Sequence, residues 1–166
     1  MIQRHLVTEH DGMGLEIERK FLVLGEAWKA LGEGTVYRQG YLSIDPERTV
    51  RVRCAGPRAF LTVKGAAEGT ARAEYEYEID VGEAEAMLDG LCLRPLVEKI
   101  RYRVPFGGLV WEVDEFMGDN RGLVLAEVEL VHVDQTVVLP DWVGEEVSGD
   151  PRYFNSHLVR QPFNSW

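Results

Sequence analysis

The chain is poor in the residues that build soft metal centres and disulfide frameworks. It has two cysteines, Cys54 and Cys92, 38 positions apart and with no CxxC partner. They read as two thiols in a reducing compartment, not as a disulfide framework or a zinc site. The four histidines, at positions 5, 10, 132 and 157, show neither HExxH nor HxH spacing. Any metal must then be held by oxygen, which points to Mg2+, Mn2+ or Ca2+. No apolar run approaches the roughly 18 residues of a membrane span, and residues 1–14 carry Gln3, Arg4, Glu9 and Asp11 in place of a signal-peptide apolar region. Basic residues are also short: 18 Lys plus Arg against 28 Asp plus Glu, a net charge of −10. That balance lacks the global basic footprint of a nucleic-acid binder. The expectation is a cytoplasmic protein with no membrane or nucleic-acid partner.

What is present is an ordinary globular composition, 45% hydrophobic and 28% charged in 166 residues, enough for one domain at roughly 150 residues each. Residues 1–13 read as a flexible extension and 14–166 as the single domain. From Leu15 onward the dominant signal is apolar–polar alternation with a period of two, the mark of strands with two unlike faces. It recurs at about 15–24, 35–44, 48–54, 59–64, 71–80, 97–105, 109–115 and 123–132, separated by turn signals such as Asp45-Pro46, Gly56-Pro57 and Gly107-Gly108. Helices are few. Short ones are expected at 26–31 and 82–91, and Asp150-Pro151 reads as an N-cap and first turn opening a helix through about Val159.

The polar faces of these strands are sorted by sign. Arg51 and Arg53 share a face, as do Thr62 and Lys64, and Lys99, Arg101 and Arg103. Glu112 and Asp114 form an acidic face, as do Glu127 and Glu129, whereas Glu16, Glu18 and Lys20, and Arg72, Glu74 and Glu76, are mixed. Taken singly, each is a half-buried strand with its charged side in water. Together they are unusual, because like charges at i and i+2 repel and solvated sheets intersperse their signs. A polyanion on the basic strands and a divalent cation on the acidic ones would neutralise both fields. Eight antiparallel strands can close into a barrel whose interior holds one small ligand, here with the charges inward and the apolar faces covered by helices or a second subunit. A sandwich with a charged exterior is the other architecture compatible with the pattern.

Glu16-Ile17-Glu18-Arg19-Lys20 reads ExExK, a weak expression alone. In order behind it come Arg38-Gln39-Gly40-Tyr41-Leu42, Arg51-Val52-Arg53, Lys64, Glu74-Tyr75-Glu76, Glu98-Lys99-Ile100-Arg101-Tyr102, Glu112-Val113-Asp114, Glu127-Val128-Glu129 and Gly144-Glu145-Glu146-Val147. This series resembles the CYTH superfamily, the triphosphate tunnel metalloenzymes, and within it the short bacterial inorganic triphosphatases, over about residues 15–158. The resemblance implies an eight-stranded antiparallel closed β-barrel with a few flanking helices and a C-terminal helix. It also implies a hydrolase that cleaves the terminal phosphate of tripolyphosphate with Mg2+ or Mn2+. Carried over residue by residue, Glu16, Glu18, Asp114, Glu127 and Glu129 would be metal ligands. Lys20, Arg51, Arg53, Lys64 and Arg101 would bind substrate. Lys99 and Tyr41 would form a catalytic pair, and Glu74 and Glu76 would lie near a second metal or the attacking water.

These are residue types the chemistry needs. Guanidinium groups meet phosphate oxygens bidentately, and a divalent ion takes carboxylates together with phosphate oxygens. One position departs from the family pattern. Phe154 stands where many short members carry a lysine, so either Arg152 or Arg160 substitutes or one phosphate contact is missing. Three other activities use similar parts: a class IV-like adenylate cyclase, a thiamine or nucleoside triphosphatase, and a non-catalytic polyphosphate binder. Exposed apolar barrel surface would also suit a homodimer.

Overall fold

The structure, a computed structural model, describes residues 15–166; the expected extension at 1–13 lies outside the described residues. Nine strands follow the alternation of the sequence: β1 Leu15–Val23, β2 Gly34–Asp45, β3 Arg48–Ala55, β4 Arg58–Glu68, β5 Ala71–Ile79, β6 Val97–Phe106, β7 Leu109–Phe116, β8 Val124–Glu129 and β9 Val143–Glu146. Two-residue turns join β2 to β3, β3 to β4, β4 to β5 and β6 to β7. Gly56, Gly69, Gly107 and Gly108 take positive φ in three of them, as tight hairpin turns demand. The expected eight segments are all strands. The ninth, β9, was not expected: four residues are too short for alternation to register, and it forms by pairing with β1.

All strands belong to one antiparallel sheet in the order β5-β4-β3-β2-β6-β7-β8-β1-β9. β1 also pairs with β5 at Leu15↔Ala73, Glu16↔Arg72 and Ile17↔Ala71, so β1 to β8 form a ring. That seam is three residue pairs long, against eight for β3 with β4.

The apolar faces point outward and are covered in two places. Helix α1, Val81–Gly90, is N-capped by the Asp80 carboxylate, which accepts from the Glu83 N–H. Its Ala84 and Leu88 pack on Val52 and Ala59. Gly40 permits this covering, since a Cβ there would lie 2.7 Å from the side chains of Cys92 and Leu96. On the other side Phe21, Trp28, Trp111 and Trp142 form a second core, with Trp111 edge-on to Trp142 at 5.8 Å. The short 3-10 turn Ala27–Leu31 contributes Trp28. Tyr75 and Tyr77 stand half exposed on β5. Among the described residues no helix is long and apolar enough to cross a membrane.

The expected C-terminal helix is two pieces, a 3-10 turn at Pro151–Tyr153 and helix α2, Asn155–Arg160. Asp150 caps the first, its side chain accepting from the Arg152 N–H, and the extended backbone of Phe154 separates them. Leu158 and Val159 of α2 pack against Tyr41, Val97, Phe116 and Leu125. Val97, Phe116 and Leu125 continue the alternation of Lys99, Asp114 and Glu127, so they lie on the ring's inner side. One end of the ring is thus stoppered by an apolar plug, and the charged side chains line the rest.

Candidate functional site

Period-two alternation sends the charged residues of every strand to one side, and the ring makes that side an interior. The result is a cavity of about 590 Å3. Twelve of the fourteen residues singled out in the sequence line it: Glu16, Glu18, Lys20, Tyr41, Arg51, Arg53, Lys64, Glu74, Glu76, Arg101, Glu127 and Glu129. Lys99 and Asp114 lie behind the wall, 1% and 0% exposed.

The opposing fields are neutralised largely by the side chains themselves, which the sequence argument did not anticipate. Lys64 Nζ donates to both Glu16 oxygens at 2.8 Å and lies 2.9 Å from Glu74, and Arg72 Nε donates to Glu16 at 2.9 Å. Arg53 meets Glu76 at 3.1 Å and Arg51 at 3.5 Å, while Thr62 Oγ1 donates to Glu76 at 2.7 Å. Lys20 Nζ is 2.7 Å from Glu127 and 3.6 Å from Glu18. Arg101 is the hub. It grips Asp114 through Nε and Nη2, each at 2.6 Å, reaches Glu127 at 2.8 Å and contacts Glu112. Beneath it Lys99 donates to Asp114 and, at 3.4 Å, to Asn155 Oδ1. Strand segregation by sign works here because the ring sets basic strands beside and across from acidic ones.

Neutralisation is uneven. Burial raises the Glu18 carboxyl, and Glu127 and Glu16 beside it raise it further. Burial alone would raise Glu127 too, but Lys20, Arg101 and Lys99 hold it well below the usual carboxylate range. Burial, with Arg101 alongside, brings the Lys99 ammonium down to about 8 against the opposing pull of Asp114. Arg53 is lowered by burial and by the guanidinium groups of Arg51 and Arg101. The Nε–H edges of Arg51 and Arg53 are buried donors with no acceptor. Cations crowd one part of the wall and carboxylates another.

Among the described residues, no three acidic, histidine or cysteine side chains converge as they stand into a metal-holding group. The donor chemistry nonetheless fits a hard cation. It is all oxygen, and Glu127 Oε1 has no aligned hydrogen bond although Lys20 is near. Glu18 beside Glu127 and Glu16 is the like-charge crowding that a divalent ion relieves. Asp114 is fully buried, with both oxygens taken up by Lys99 and Arg101.

Tyr41 and Lys99, the expected catalytic pair, come from adjacent strands. In the β2–β6 register Lys99 stands opposite Tyr37, and Tyr41 is four residues further along. Among the described residues no hydrogen bond joins Tyr41 to Lys99; Tyr41 packs in the plug instead. Phe154 lines the cavity with the Lys20 ammonium 5.9 Å from its ring centroid. Arg152 is turned away onto Asp150, 2.6 Å, and Trp166, and neither it nor Arg160 lines the cavity.

Sequence reasoning gave no role to several wall residues. Arg72 was visible on the face of β5. Tyr37 carries the guanidinium groups of Arg53 and Arg101 each 5.3 Å from its ring centroid. Ser148, Asn155 and Ser156 come from the C-terminal segment, where no alternation marks an inner face. Arg19 pairs with Glu146 at 2.5 Å; Arg103 lines the mouth, mostly exposed.

The sequence profile described as CYTH domain matches residues 14–154. The chain belongs to the CYTH domain family. It is 53% identical over 154 residues to an inorganic triphosphatase of Acetivibrio thermocellus, covering 93% of this chain and 99% of that one. An inorganic triphosphatase of Nitrosomonas europaea is 40% identical over 153 residues, covering 87% and 96%. Among solved structures, that of the inorganic triphosphatase NE1496 superposes with a TM-score of 0.63 at 37% identity, covering 94% of this chain and 97% of that one. The mostly antiparallel β architecture with few helices is therefore the CYTH fold.

Proposed function

We propose that this CYTH chain is a divalent-metal-dependent inorganic triphosphatase, and that its ring of strands works as a closed eight-stranded barrel around the substrate. The observation that carries the reading is that both halves of the required chemistry share one cavity. Unpaired arginine donors lie on β3, and a crowded carboxylate group lies on β1 and β8. The two triphosphatase relatives, which this chain covers almost end to end, support the choice of substrate.

Arg51 and Arg53 turn from Glu76 to bind the phosphate chain, with Lys64 and Lys20 contributing point charges. Arg101, fixed on Asp114, stays in place and faces the charge that develops on the transferring phosphoryl group. Glu16, Glu18, Glu127 and Glu129 would hold the ion, Mg2+ or Mn2+. When bound it supplies neutralisation of phosphate oxygens and a lowered pKa for a coordinated water. Asp114 acts as the anchor of Lys99 and Arg101. Glu74 and Glu76 hold the cations in the absence of substrate and are released toward the water when phosphate takes those cations. Lys99, buried behind the wall, acts on the reacting phosphate through Asp114, the carboxylate it shares with Arg101, and Tyr41 lines the cavity beside them.

The test is phosphate release from tripolyphosphate with Mg2+ or Mn2+, alongside cyclic AMP formation from ATP in the same sample. Phosphate release that is abolished by chelation and by Glu127→Gln is expected. Cyclic AMP as the dominant product, or release indifferent to chelator, would overturn the assignment.

A further inference from the structure

The inner wall contains a polar group that neither the cavity's ion pairs nor the core uses. Gln39 on β2 is 0% exposed, and both its Oε1 and its Nε2 lack a hydrogen-bond partner. A buried amide left in that state costs the fold about 1–3 kcal/mol. The same position occupied by an apolar residue of equal size would cost nothing, so packing alone does not account for a glutamine here.

Its surroundings supply a reason. Gln39 lies between Tyr37 and Tyr41 on the inner side of β2 and stands directly opposite Arg53 on β3, with Tyr41 opposite Arg51. The Nε–H groups of both arginines are buried donors without acceptors. An unused acceptor and two unused donors therefore share one face of two adjacent strands. Both guanidinium groups are drawn to Glu76, Arg53 through Nη2 at 3.1 Å and Arg51 through Nη2 at 3.5 Å. Burial and the neighbouring guanidinium groups of Arg51 and Arg101 disfavour the charge of Arg53. Its ring contacts to Tyr37 and Phe60, 5.3 and 5.2 Å from the centroids, fix the plane of the guanidinium but satisfy no N–H.

We propose that Gln39 is a positioning residue of the anion site, its amide oxygen accepting the Nε–H of Arg53 when a phosphate chain draws that guanidinium away from Glu76. The inference rests on the substrate reading above. In the ligand-free state the amide is left without a partner; in the bound state it orients the arginine so that its terminal N–H groups face phosphate oxygens. The cost falls on the free protein and the benefit on the complex, which couples Gln39 to affinity and not to stability.

That coupling gives an unusual signature. Gln39→Met, close to isosteric and apolar, should leave the melting temperature unchanged or raised, while tripolyphosphate binds about tenfold more weakly by calorimetry in chelator-treated buffer. KM should rise by a similar factor and kcat change less than threefold. In the wild type, tripolyphosphate should slow solvent exchange of the Arg53 Nε–H in 15N spectra; in Gln39→Met it should not. Gln39→Leu guards against a packing artefact specific to methionine. Unchanged affinity in both variants would overturn the proposal and leave Gln39 a plain orphaned amide. Destabilisation of both variants would also overturn it, since the amide would then be satisfied already in the free protein. A wild type that binds tripolyphosphate but does not hydrolyse it would defeat the triphosphatase assignment and leave the role of Gln39 standing.

Discussion

Asp114→Asn tests whether the wall of the cavity is built around one buried carboxylate. Asp114 is 0% exposed and accepts from Arg101 twice, at 2.6 Å each, and from Lys99, itself 1% exposed. The amide is the same size but carries one acceptor where two were used, and its NH2 faces a cation. Removing one partner of a buried ion pair costs about 3–5 kcal/mol, because the other charge is stranded. Arg101 keeps Glu127 and Glu112, whereas Lys99 keeps only a long contact to Asn155, so the low end, about 3 kcal/mol, is expected. At about 2–4 °C per kcal/mol for a domain of this size, the melting temperature should fall by about 6–12 °C. Urea unfolding should show a lower midpoint with an unchanged slope. Adding Lys99→Met should recover part of the loss, since one stranded cation is gone, and that non-additivity is the coupling itself. A loss below about 1 kcal/mol, or strict additivity in the double variant, would refute the claim that Asp114 anchors the two cations.

The two halves of the cavity should separate in kinetics. Glu18→Gln or Glu127→Gln should raise the metal concentration needed for half-maximal activity, whereas Arg51→Ala should chiefly raise KM; identical metal titrations for the carboxamide variants and wild type would remove them from the ligand set. Lys99→Ala should lower kcat more than it raises KM, the mark of an interaction made in the transition state, and a change confined to KM would reduce Lys99 to a phosphate clamp. Tripolyphosphate should be preferred over ATP by at least about tenfold in kcat/KM, or ~1.4 kcal/mol, because Tyr37, an aromatic ring in the cavity wall, already carries Arg53 and Arg101. Equal kcat/KM for ATP under the same metal and pH would reveal a base pocket elsewhere.

Much of this site is legible without coordinates. Alternation assigns Glu16, Glu18, Lys20, Arg51, Arg53, Lys64, Arg101, Glu127 and Glu129 to polar faces, and the turn residues mark where the chain reverses. Those are local properties, set by the period of a strand and the φ demands of a hairpin. The resemblance to the CYTH family then placed those faces inside. What alternation leaves open is also local in origin. Tyr41 and Lys99 occupy matching motifs, yet the β2–β6 register sets Tyr37 opposite Lys99. Asp114 carries the same alternation as Glu112, yet only Asp114 is sealed under Arg101. β9 and the break at Phe154 fall in stretches too short for any period to show.

The sequence by itself therefore determined the side of the sheet each residue takes, the sign of each strand's charge and the positions of the turns. Each of these follows from residues a few places apart. Only the tertiary structure decided which strand lies beside which and in what register. That arrangement brings Lys64 to Glu16 across 48 positions, turns Arg152 away from the cavity and leaves Gln39 buried beside arginine edges without acceptors. The reason is physical: alternation fixes the direction of a side chain but not its neighbours. Those are chosen by the packing of α1, α2 and the tryptophan cluster against the ring, and by the short seam between β1 and β5.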